Sequence, residues 1–252
     1  PGMGADRAGR FVCVQSVYLG PAGPLWVLDP ANPQFKGVVE GGPKLVKISP
    51  SVDEVERVYL FPPDVAPENS YLNDVRVDPD AGFAYMTDSG MGALVVLNLE
   101  TGESRRVLAD HASTRSEGVT IEINGKVWRR PDGSLPDVHA DGIALDLETD
   151  WLYYQALTGR TLYRINTKWL NDPEIEDWQL AEKVQKVAEP GPADGLAWHP
   201  QSRRVLLTSL ELNAIRALDP ETGDIDVLAR DRRIAWPDSI AVAVDASYLR
   251  PY

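Results

Sequence analysis

Apolar runs of about five to seven residues, separated by short polar turns rich in Pro, Gly, Asp and Asn, follow one another along most of the chain. Runs of that length, bounded in that way and rich in Val, Ile, Leu and Tyr, predict β-strands. The pattern is clearest from Asn73 onward. Residues 73–78 form a first strand, Pro79-Asp80-Ala81-Gly82 a turn, Phe83 to Thr87 a second strand and Asp88 to Gly92 a turn. Ala93 to Leu99 forms a third strand, Glu100-Thr101-Gly102-Glu103 a turn, and Ser104 to Ala109 a fourth. Proline fixes φ and glycine accepts positive φ, which is why these residues mark the reversals. The product is a four-stranded meander of about forty residues, the size of one propeller blade.

The unit recurs. Its first strand opens five times on a small polar or acidic residue: Gln15-Ser16-Val17-Tyr18-Leu19, Asn73-Asp74-Val75-Arg76-Val77, Asp141-Gly142-Ile143-Ala144-Leu145, Asp194-Gly195-Leu196-Ala197-Trp198 and Asp238-Ser239-Ile240-Ala241-Val242. The openings fall 58, 68, 53 and 44 positions apart. Recurrence at roughly 40–50 residues, with insertions, predicts an all-β propeller, here one domain over residues 1–252. Four units are complete and a fifth is begun. Open strand edges are unfavourable, so a five- or six-bladed ring with blade material outside this chain is expected. Two inserts interrupt the units. Asn171 to Trp178 predicts a short helical excursion. Ile121 to Trp128, with Asn124-Gly125 at its centre, predicts a tight hairpin hanging over one face of the ring.

Charge narrows the partners. Lys and Arg number 25 against 38 Asp and Glu, a net charge of −13, which argues against a nucleic-acid phosphate backbone as partner. Apolar residues are 43% of the chain, enough for a sizeable core. The single cysteine, Cys13, excludes an internal disulfide and reads as a small buried apolar residue. The apolar run Ala93 to Leu97 is far too short to cross a membrane, so no insertion is expected.

In a propeller the openings of successive inner strands surround one channel. Asn73, Asp141, Asp194 and Asp238 are therefore expected to converge at one end of it. Three carboxylates and an amide on one axis repel each other unless a cation sits among them, and oxygen-only donors suit Ca²⁺ or Mg²⁺. The alternative is that each polar head caps its strand end and orders channel water. His111, His139 and His199 lack the short-range spacing of a zinc site. His139, two residues before Asp141, falls on the same side of an extended segment and is a candidate general base, or else a loop residue. Tyr71, Trp128, Tyr154 and Trp236 are candidate pocket walls, with inter-blade packing as the competing role.

Several segments together carry a family resemblance. Trp26-Val27-Leu28-Asp29, Pro43-Lys44-Leu45-Val46, Tyr71-Leu72-Asn73-Asp74-Val75, Ala84-Tyr85-Met86-Thr87-Asp88-Ser89, Ala140-Asp141-Gly142-Ile143-Ala144-Leu145, Leu162-Tyr163-Arg164-Ile165 and Trp236-Pro237-Asp238-Ser239 resemble the major royal jelly protein/Yellow family over nearly the whole chain. The resemblance implies a six-bladed propeller and a secreted or periplasmic protein. Relatives of that kind include binders of small amines, structural or nutritive secreted proteins, and proteins linked to dopachrome conversion. The wider superfamily includes SMP-30/gluconolactonase-type lactonases, in which Asn, Asp and Glu at inner-strand openings hold a divalent cation. The lactonase glutamate comes from a blade that this chain lacks. Two functions are thus expected to compete. One is a lactonase-like hydrolase with Ca²⁺ or Mg²⁺ on Asn73, Asp141, Asp194 and Asp238 and with Asp194 or His139 moving the proton. The other is a protein binding a small-molecule amine without catalysis. Three acids and an amide favour the first.

Overall fold

The computed structural model describes residues 9–21 and 23–242. Four antiparallel sheets are built, each from four consecutive strands in simple meander order. The first blade holds β1 (Ser16–Leu19), β2 (Leu25–Asp29), β3 (Lys44–Ser49) and β4 (Glu54–Leu60). The second holds β5 (Leu72–Asp78), β6 (Phe83–Asp88), β7 (Ala93–Asn98) and β8 (Ser104–Val107). After a two-stranded hairpin, β9 (Glu122–Ile123) and β10 (Lys126–Val127), the third holds β11 (Ala140–Asp146), β12 (Trp151–Ala156), β13 (Leu162–Asn166) and β14 (Gln185–Ala188). The fourth holds β15 (Ala193–His199), β16 (Arg204–Ser209), β17 (Ala214–Leu218) and β18 (Ile225–Arg230). The helical excursion resolves into α1 (Thr167–Leu170) and α2 (Asp177–Ala181). The fifth opening differs from expectation: residues 238–242 form no strand, and the rest of that unit lies outside the described residues.

The middle blades are buried on both faces, and strand alternation divides their side chains between two cores. Ala84 and Met86 of β6 join Trp26, Leu28 and Leu45 in the core between the first and second blades. Tyr85, between them in sequence, joins Ile143, Leu152 and Tyr154 in the core between the second and third. Tyr153 then turns the other way, to Leu196, Val205 and Leu207 of the fourth. Each fully buried Leu, Val or Met in these layers contributes about 1.5–3 kcal/mol relative to exposure.

Polar stitches fix the ends of the blades. Asp88, fully buried at the end of β6, accepts backbone N–H bonds from Tyr71 (2.8 Å), Gly90 (2.9 Å) and Met91 (3.2 Å) and pairs with Arg106 (2.5 Å). Asp29, at the same place in the first blade, accepts from Val12, Cys13 and Ala31 and lies 3.3 Å from the ammonium of Lys44. The Asp-Gly openings have a packing cause. A Cβ on Gly142 would lie 2.4 Å from the carbonyl oxygen of Asp194, and one on Gly195 would lie 2.3 Å from that of Asp238. Each inner strand therefore lets the next inner segment approach its backbone, which only glycine permits. Where the second blade carries Asp74 instead, Ser16 Oγ donates to Asp74 Oδ1 at 2.8 Å from the first blade.

Candidate functional site

Three of the four inner strands open with the same irregularity. The register slips between Leu72 and Val75, between Ala140 and Ile143, and between Ala193 and Leu196. The residues in these bulges are Asn73-Asp74, Asp141-Gly142 and Asp194-Gly195. A bulge bends its strand and re-aims a side chain, and here it brings the opening residues to the channel. A cavity of about 460 Å³ lies at the centre, with Asn73, Asp141, Asp194 and Asp238 all on its wall beside Gln15, Asp74 and Arg76. Its apolar lining includes Val17, Leu19, Leu196, Trp198, Ile240 and Val242.

Hydrogen bonds order the polar rim at two places. Tyr71 Oη donates to Gln15 Oε1 at 2.6 Å, and Gln15 Nε2 donates to Asn73 Oδ1 at 2.8 Å. The Asn73 amide lies close enough to Asp141 to favour its charged form. At the other end Trp236 Nε1 donates to Asp194 Oδ2 at 2.6 Å, and Asp238 is the neighbouring carboxyl that acts most strongly on Asp194. Burial pushes Asp141 well above the usual carboxylate range, and the charges of Asp194, Asp74 and Asp238 add to the push. Burial first, and then the neighbouring Asp238, raises Asp194 to about 7. Among the described residues none of Asp141, Asp194 and Asp238 forms an ion pair, whereas Asp74 is paired with Arg76 at 2.9 Å.

The Asp194 shift fixes a sign. Its folded value lies above the roughly 3.9 of an unfolded aspartate, so the folded state holds the extra proton between the two values. That contribution to stability is complete below about pH 4 and is lost as the pH rises to about 7. The urea midpoint of the wild type is expected to fall across that window, and to fall less in Asp194→Asn. An equal slope in the two proteins contradicts the assignment.

The other candidates lie away from the wall. His139 is buried, and its Nδ1 accepts the Ser116 backbone N–H at 2.9 Å. Burial lowers its pKa, and the ring is not part of the cavity lining. Tyr154 sits in the core between the second and third blades, its hydroxyl 2.8 Å from Ser113 Oγ. Tyr71 stacks on Phe35 with ring centroids 4.0 Å apart. Trp128, carried from the β9–β10 hairpin, meets Trp236 edge-on at 4.7 Å. None of these four aromatics lines the cavity; Tyr71 and Trp236 instead hold residues that do. The hairpin lies over the fourth blade, with Asn213 Nδ2 donating to Asn124 Oδ1 at 2.8 Å.

Sequence reasoning missed Arg76, Tyr18 and Trp198, all of which line the cavity. Arg76 carried a signal: a charged residue set between Val75 and Val77 of an inner strand. Its Nη2 crosses the channel to donate to the Leu196 carbonyl at 2.7 Å, and its guanidinium lies 5.1 Å from the Tyr18 ring centroid.

The donor set suits a hard cation in kind, being oxygen throughout. Asn73 Oδ1 is taken by Gln15 and Asp194 Oδ2 by Trp236, and among the described residues no three acidic, His or Cys groups gather closely enough to hold a metal ion.

The family model described as "Major royal jelly protein" matches residues 12–248. No curated protein sequence matches the chain. Among solved structures, a streptogramin B lyase aligns with a TM-score of 0.52 at 13% identity, over 90% of this chain and 58% of that one. A catalytically inactive virginiamycin B lyase from Staphylococcus aureus with quinupristin gives 0.52 at 14% identity, over 92% and 60%. The WD40 repeats of RRP9 give 0.52 at 11%, over 87% and 52%. These likenesses establish the propeller fold. The chain spans about three-fifths of the length of the two lyases.

Proposed function

Because this chain belongs to the major royal jelly protein family, we propose that its central cavity binds a small organic cation. The observation that carries this reading is the row of Asp141, Asp194 and Asp238 on one cavity wall, with no ion-pair partner among the described residues. Burial and neighbouring charge hold Asp141 and Asp194 above the usual carboxylate range, and such groups gain from an incoming positive charge. An ammonium donates several hydrogen bonds and can meet more than one carboxyl of the row. The apolar lining of Val17, Leu19, Trp198, Ile240 and Val242 then covers the body of the ligand.

The reading is tested by calorimetric titration with a primary arylalkylamine and with the neutral alcohol of the same skeleton. The amine is expected to bind at least about tenfold more tightly, the worth of one charge-assisted hydrogen bond. Equal affinities contradict the reading.

A second reading, a lactonase-like hydrolase assisted by Ca²⁺ or Mg²⁺, is favoured by one observation. Asp194 near 7 has the protonation balance that a general base needs at neutral pH. For that role Asn73, Asp141, Asp194 and Asp238 have to turn inward from their present partners. Lactone turnover that disappears on chelation and returns with the ion supports it; metal-free protein without turnover removes it.

A further inference from the structure

The cavity carries one fixed positive charge, and the cation-binding reading leaves it unused. Arg76 is more than nine-tenths buried and forms part of the cavity wall. Its Nη1 donates to Asp74 Oδ1 at 2.9 Å and to its neighbour's carbonyl, Val75 O, at 2.6 Å, and its Nη2 donates to Leu196 O at 2.7 Å. Its Nε–H and its second Nη2–H have no partner among the described residues. A guanidinium on a cavity wall with donors to spare can take a further acceptor there.

Its depth in the channel is set by its partner. Leu196 lies two residues along β15 from Asp194, beyond the bulge that Asp194 and Gly195 form. The acidic wall and the guanidinium therefore stand at two levels of the same cavity, within reach of the two ends of one small molecule. The fork of arginine donors matches a carboxylate better than any single-point acceptor.

We propose that the cavity selects a small zwitterion, a molecule with a protonated amine for the acidic wall and a carboxylate for Arg76. This rests on the cation-binding reading and adds the second recognition point. Without Arg76 the acidic wall repels a carboxylate, so a preference for the zwitterion separates this proposal from simple attraction of amines.

The test compares two probes on one skeleton, phenylalanine and 2-phenylethylamine, by isothermal titration of the full chain. Wild type is expected to bind phenylalanine about tenfold more tightly than the amine, the increment of one bidentate charge-assisted contact. In Arg76→Met the order reverses, since the acidic wall then repels the carboxylate and no cation offsets it. Arg76→Met also removes the link to Leu196. If that variant does not fold, the wild-type ratio decides alone, supported by Arg76→Lys, which keeps the charge, loses the fork and narrows the preference. Amine binding as tight as or tighter than amino-acid binding in wild type overturns the zwitterion proposal and leaves the cation reading standing. No binding of either probe overturns both.

Discussion

Asp88→Ala is expected to lower the free energy of unfolding by about 3–5 kcal/mol, the usual cost of leaving one partner of a buried ion pair alone. The substitution strands the Arg106 guanidinium, which is largely buried, and removes the acceptor for the Tyr71, Gly90 and Met91 N–H groups. The loss falls on function as well as stability. Tyr71 holds Gln15, and Gln15 holds Asn73, so Asp88 anchors one end of the cavity rim. The control is Glu148→Ala, which breaks the exposed pair with Arg203 and is expected to cost less than about 1 kcal/mol. Urea unfolding followed by tryptophan fluorescence measures both. Similar losses in the two variants contradict the role assigned to Asp88.

Gly142→Ala is expected to cost about 3 kcal/mol, the upper end of the range for overpacking. The added methyl group lands 2.4 Å from the Asp194 carbonyl oxygen and 2.9 Å from the Leu196 side chain. The first of these is backbone, and it gives way only if the third and fourth blades separate. Separation displaces Asp194, so amine affinity falls together with the melting temperature. A loss below about 1 kcal/mol shows that the blades adjust freely and that the Asp-Gly openings have another cause.

The openings show what a sequence of this kind reveals and what it hides. Turn residues at each reversal, and the length of the unit, made four blades legible, together with the Asn124-Gly125 hairpin. In that hairpin Asn124 and Gly125 take φ of 52° and 79°. The convergence of Asn73, Asp141, Asp194 and Asp238 on one cavity was legible because propeller repeats place equivalent positions around one channel. The reason for glycine after Asp141 and after Asp194 was not legible. It lies in the approach of a backbone some fifty residues away, and Asp-Gly also reads as an ordinary turn. The aromatics stayed divided between wall and inter-blade packing, because strand alternation alone does not say which face of a blade meets the channel and which meets a neighbour. Tyr154 belongs to an inter-blade core. Arg76 escaped because its partners, Leu196 above all, come from another blade. His139 was singled out for its place beside Asp141 in the chain, yet the backbone N–H of Ser116 occupies its Nδ1. The fifth opening, at Asp238, packs against Gly195 without the ladder that its apolar pattern suggested.

The central claim is that the carboxyls on the cavity wall bind an organic cation, and the measurement that meets it most directly is amine affinity as a function of pH. Asp194 ionises near pH 7, so the affinity of wild type for a primary arylalkylamine, which stays protonated throughout, is expected to rise by about tenfold between pH 6 and pH 8. The neutral alcohol of the same skeleton shows no such rise, and in Asp194→Asn the rise is absent for the amine too. A wild-type affinity that is flat across that window, or a rise shared equally by the alcohol, contradicts the account.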